Sequence, residues 1–142
     1  MGEDQNGRIA WMDVLETGIP DLDDQHQDLI EQCNTLTGLM DRGVPWPEVV
    51  AAARGLATDC GTHFRAEEAV LEKTEFPRRD RHAKQHRNIE SQFGVLIDFM
   101  AGCDGSQPEH RAAARTMRDT LVDVLFRHDL DYKSHLQQAL GR

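Results

Sequence analysis

The sequence predicts an all-α protein, an antiparallel up-down four-helix bundle with an N-terminal arm. Three observations predict it: four stretches whose apolar residues recur at spacings of three and four, Gly- and Pro-rich breaks between them, and no stretch that reads convincingly as a strand. Short connections favour antiparallel neighbours, and 142 residues are enough for one domain with a real core. The division is an arm over residues 1–20 and a bundle over residues 21–142. Neither an internal repeat nor a low-complexity tract argues for a solenoid.

The first helix is expected from about Asp21 to Met40, with Leu22, His26, Leu29, Ile30, Cys33, Leu36 and Met40 on one face. Pro20 and the aspartates after it suit its start, and "DRGVPWP" ends it. The second follows Pro47 and lines up Val49, Ala53, Leu56, Cys60, His63, Glu67, Val70 and Leu71 before "TEFPRRD" breaks it. The third, from about Asp80 to Ala101, carries His82, His86, Ile89, Phe93, Leu96 and Met100, and "GCDGSQP" closes it. The fourth starts after Pro108 and runs almost to the end, with Met117, Leu121, Val124, Leu125, His128, Tyr132 and Leu136 as its stripe.

Charge and composition exclude several classes. A formal net charge of -9 with no basic stripe is repelled by nucleic acid and by anionic lipid. No apolar run approaches the ~18 residues of a membrane span, and "MGEDQNGRIAWMD" lacks the regions of a secretory signal, so the expected location is the cytoplasm. Cys33, Cys60 and Cys103 are an odd number without CxxC spacing, which points to reduced thiols rather than a disulfide framework or a thiolate zinc knuckle.

The chemistry lies on the apolar stripes. Every helix places a histidine there: His26, then His63, then His82 and His86, then His128. A single one reads as a core histidine bonded to a neighbour. Five imidazoles and the Glu67 carboxylate are different, because unsatisfied buried polar groups cost ~1 to 3 kcal/mol each and an unpaired charge costs more. A shared cation removes the conflict. Imidazole with carboxylate and no thiolate suits iron, manganese or zinc, and the number of histidines exceeds what one tetrahedral zinc uses. A dinuclear site follows, in which Glu67, four residues after His63, bridges both ions. Glu68 points ~100° away and reads as a solvated charge. The paired ExxH pattern of ferritin-like carboxylate proteins is absent.

The blocks "WMDVLETGIPDLDDQHQDLI", "HFRAEEAVL", "EFPRRDRHAKQH" and "DLDYKSHL" together resemble the four signature blocks of the hemerythrin family, and in particular the single-domain bacteriohemerythrins, from Trp11 to about Leu140. The resemblance implies a four-helix bundle with two non-heme iron ions, oxo- or hydroxo-bridged, that bind O2 reversibly as peroxide at one iron. Carried over by position, it assigns His26 and His63 to one iron, His82 and His86 to the other, and Glu67 to the bridge. The apolar lining expected around the site would keep water from displacing bound O2.

The fourth helix departs from the family's HxxxxD pattern. If His128 is the fifth histidine, the bridging position falls on Lys133, which cannot bridge cations. If "DLDYKSHL" is aligned on the family's aspartate, tyrosine and leucine, the bridge is Asp129 and Val124 occupies the histidine position. The second register is preferred, with His128 facing the cluster as a substitute ligand or a hydrogen-bond donor and Asp131 pointing elsewhere. A missing nitrogen ligand would open a second position at the metal.

Three functions remain: an O2 carrier, store or sensor; a di-iron enzyme acting on peroxide or nitric oxide; and a bundle for protein interaction. The first, a binding protein rather than an enzyme and a monomer or weak homo-oligomer, is the expectation. Trp11 and Trp46 read as packing residues at the bundle ends, Cys60 as a core side chain and His135 as exposed. The acids from Asp13 to Asp28 read as a solvated surface.

Overall fold

The structure, a computed structural model, describes residues 16–128 and 131–141, except for the side chain of His128. Most of the expected N-terminal arm, Trp11 included, therefore lies outside the described residues. These are α1 (Pro20–Asp41), α2 (Trp46–Lys73), α3 (Arg79–Ala101), α4 (Pro108–Asp123), a π-helical turn (Val124–His128) and α5 (Lys133–Ala139). α1 packs on α2, α2 on α3, α3 on α4 and α4 back on α1, which closes a four-helix bundle.

Proline positions the helix starts. Pro20, Pro47 and Pro108 each sit in a first turn, where a missing N–H costs nothing. α2 therefore starts at Trp46, a residue ahead of Pro47 rather than after it. α4 has a reciprocal cap between Gln107 and His110. Ahead of α1, Asp23 accepts hydrogen bonds from the Thr17 amide (2.7 Å), the Thr17 hydroxyl (2.9 Å) and the Gly18 amide (3.2 Å). Asp23 is thus a clamp on the entering chain, not the solvated acid expected from its neighbours.

Among the described residues the expected core faces hold, with three shifts: Ile97 is buried and Leu96 only half-buried, Phe64 joins the core of α2, and Val70 is only half-buried. Cys33 and Cys60 are buried in that core. Burial pushes the Cys33 thiol up from its ordinary 9.0 to about 12, so it stays protonated, and none of the three cysteines is in a disulfide. At the bundle end Trp46 donates its indole N–H to the Met100 carbonyl (2.8 Å), the packing role expected for it.

The fourth helix is not continuous. After Asp123 its hydrogen bonds widen to the π pattern, and a separate short helix follows from Lys133. The expectation of one regular helix from Pro108 to the end is corrected here, and with it the even angular spacing on which the placing of His128 relied. Two apolar clusters result. The larger holds Leu29, Phe64, Ile89 and Leu125; the smaller holds Leu71, Phe76, Tyr132 and Leu136. Along α1, α2 and α3 the buried histidines fall between the two.

Candidate metal centre

α1 supplies His26 to this layer, α2 supplies His63 and Glu67, and α3 supplies His82 and His86. Residues i and i+4 share a helix face, so α2 and α3 each deliver two donors to one point. All five are buried; Glu67 has no exposed surface and no histidine exceeds 3%. The two oxygens of Glu67 divide the imidazoles between them. Oε1 lies 2.5 Å from His82 Nε2 and 3.1 Å from His86 Nε2, while Oε2 lies 3.1 Å from His63 Nε2 and 3.4 Å from His26 Nε2. Two triads result, His26–His63–Glu67 and Glu67–His82–His86, each with its donor atoms within 4.8 Å of one another.

The groups behind the imidazoles orient them. His63 donates from Nδ1 to the Gln25 amide oxygen (2.7 Å), and His86 donates from Nδ1 to a Glu68 oxygen (2.8 Å). With Nδ1 committed to its acceptor, Nε2 is the atom each ring turns toward Glu67, a proton donor to the carboxylate in the metal-free protein and a lone-pair donor to a cation that displaces that proton. A carboxylate or carbonyl behind the ring is the usual support of a metal-binding histidine. Phe64 stacks on His86 with ring centres 4.0 Å apart and planes 6° from parallel. Tyr132, fully buried, donates its hydroxyl to Glu67 Oε2 (2.6 Å).

Burial by itself would push the Glu67 carboxyl up, but hydrogen bonds from His26, His63, His82 and His86 outweigh it and hold the group well below its usual range. A carboxylate kept anionic among four inward nitrogens, without a thiolate nearby, is a donor set suited to two divalent cations sharing Glu67.

His26, His63, Glu67, His82 and His86 are brought together as the spacing predicted. The side chain of His128 and all of Asp129 lie outside the described residues. Val124 is buried in the larger apolar cluster, and Asp131 faces outward to accept a two-pronged hydrogen bond from Arg78 (3.0 Å each). Two expectations are corrected. Glu68 is not a free solvated charge: besides His86 it holds Arg65 (3.2 Å) and Arg87, because a residue 100° from the site on α2 still faces α3. His135 is half-buried, with Nε2 2.8 Å from the Thr74 carbonyl, because α5 lies against the end of α2.

Sequence reasoning missed Gln25, Glu68 and Tyr132 as parts of the site. Gln25 and Glu68 each stand next to a donor, His26 and Glu67, yet each serves a histidine on another helix, so spacing within a helix carries no trace of the pairing.

A sequence model of the family described as the hemerythrin HHE cation binding domain matches residues 17–140. No curated protein matches the chain.

Proposed function

Since the chain belongs to the hemerythrin family, we propose that it is a non-heme di-iron protein that binds O2 reversibly, serving as a carrier, store or sensor rather than an enzyme. One observation carries the reading: a fully buried carboxylate with each oxygen turned to its own pair of imidazoles, as a bridge between two cations requires. The imidazole–carboxylate set suits iron, manganese or zinc, and membership of the hemerythrin family favours iron. When bound, the iron pair supplies the electrons that hold O2.

The chain supplies the rest. Glu67 would hold both cations, and Gln25 and Glu68 fix the planes of His63 and His86. Phe64 and Leu29 wall the site from water, which favours a bound small molecule over its displacement. Open clefts border both halves of the centre, one of about 230 Å³ at Gln25, Leu29 and His63 and one of about 240 Å³ at His82, Gln85 and Arg127. The family resemblance offers Asp129 as a second bridging ligand and His128 as a substitute ligand or hydrogen-bond donor, groups that lie outside the described residues.

The second reading, a di-iron enzyme acting on peroxide or nitric oxide, draws on Val124. This apolar residue stands where the preferred register has the family's fifth histidine, and it is buried. The visible spectrum of iron-loaded protein in air separates the two. A reversible oxygen-to-iron band is expected; rapid bleaching to the oxidised form would replace the first reading by the second, and failure to hold about two irons per chain would end both.

A further inference from the structure

We infer that the two halves of the centre are unequal and fill in order: the triad Glu67–His82–His86 takes its cation first and more tightly, and Glu68, Gln25 and Tyr132 set that order. This rests on the metal-binding reading above and is independent of O2.

Three contacts point the same way. The acceptor behind His86 is a carboxylate, whereas the acceptor behind His63 is the neutral amide of Gln25. A charged acceptor draws the Nδ1 proton more strongly and makes the opposite nitrogen the better donor to a cation. Tyr132 adds to the difference from the other side: its hydroxyl occupies Glu67 Oε2, the oxygen facing His26 and His63, and draws density from it. Because the Tyr132 bond to Oε2 would persist when a cation displaces the His82 proton from Oε1, Oε1 would be the richer oxygen toward a bound cation.

Preorganisation favours the same half. Glu68 is held by Arg65 (3.2 Å) and Arg87, and these bind Glu90 in turn (2.7 and 3.5 Å). The guanidiniums temper the charge on Glu68 but fix its direction, so the His86 ring is pinned from behind by Glu68 and on its face by Phe64. His82 stands edge-on to Tyr132, with ring centres 5.4 Å apart. A His86 ring already held from behind by Glu68 and on its face by Phe64 loses little further freedom on binding a cation.

The test uses the full chain cleared of metal and titrated with Zn²⁺, followed by calorimetry and by NMR of ¹⁵N-labelled histidine. The first equivalent is expected to move His82 and His86, and the second His26 and His63. Glu68→Gln keeps the hydrogen bond and removes the charge; it should weaken the first step about 10-fold or more and spare the second. Tyr132→Phe should strengthen the second step, and Gln25→Glu should bring the two affinities together. Filling in the reverse order, simultaneous filling, or equal weakening of both steps by Glu68→Gln overturns the order while leaving the iron and O2 reading to its own spectrum. Absence of Zn²⁺ binding overturns the metal centre and the order with it.

Discussion

Glu67 concentrates the conflict from which the site is built, a charge with no exposed surface ringed by four imidazole nitrogens at 2.5 to 3.4 Å. Its pKa lies well below the ordinary 4.5, since the four hydrogen bonds overcome the penalty of burial. In the unfolded chain the group takes up a proton at higher pH than in the folded one, so its contribution to stability is present above 4.5 and is lost as pH falls toward the folded value. Metal-free wild type and Glu67→Gln compared by urea unfolding should therefore differ most near neutrality and converge on acidification; a gap that widens in acid would contradict the assignment. At this scale the donors themselves were legible, because His63 to Glu67 and His82 to His86 are four-residue steps on one helix. Gln25 and Glu68 were not, since their partners belong to neighbouring helices.

Among the elements, proline marks the starts of α1 and α2, and α1, α2 and α3 follow their apolar periodicity. The fourth helix does not. Val124–His128 contains neither Gly nor Pro, yet its hydrogen bonds change to the π pattern where the chain nears the buried histidine layer. Such turns are frequent at functional sites. The connection between α3 and α4 shows the opposite case, a turn whose residue is demanded by geometry. Gly105 has φ +77, and a Cβ there would lie 2.5 Å from the Trp46 ring. Trp46 in turn is held by the Met100 carbonyl and has little room to yield. Gly105→Ala should cost about 2 kcal/mol and lower Tm by about 5 °C, with helix content by circular dichroism unchanged. An unchanged Tm would mean that the loop relaxes freely around the indole.

For the molecule as a whole, the histidine layer interrupts a largely apolar core, and three helices meet there through Glu67 and four histidines. Cations that bind the folded chain and not the unfolded one add directly to folding free energy, by about 2.7 kcal/mol per site at a hundredfold excess over Kd. Loaded protein should therefore melt roughly 10 °C or more above protein cleared of metal, as measured by calorimetry. Equal melting temperatures would show that the layer is satisfied without cations. The helical class, the number of bundle helices and the donor pairs His63–Glu67 and His82–His86 were determined by sequence alone, because helical periodicity is local and brings i and i+4 together whatever surrounds them. The tertiary structure decided the rest: which oxygen of Glu67 faces which pair, that Glu68 supports His86, that Tyr132 reaches across to Glu67, and where the fourth helix loses its regular register. Those features depend on packing between helices, and a linear pattern holds no record of which neighbour a side chain meets.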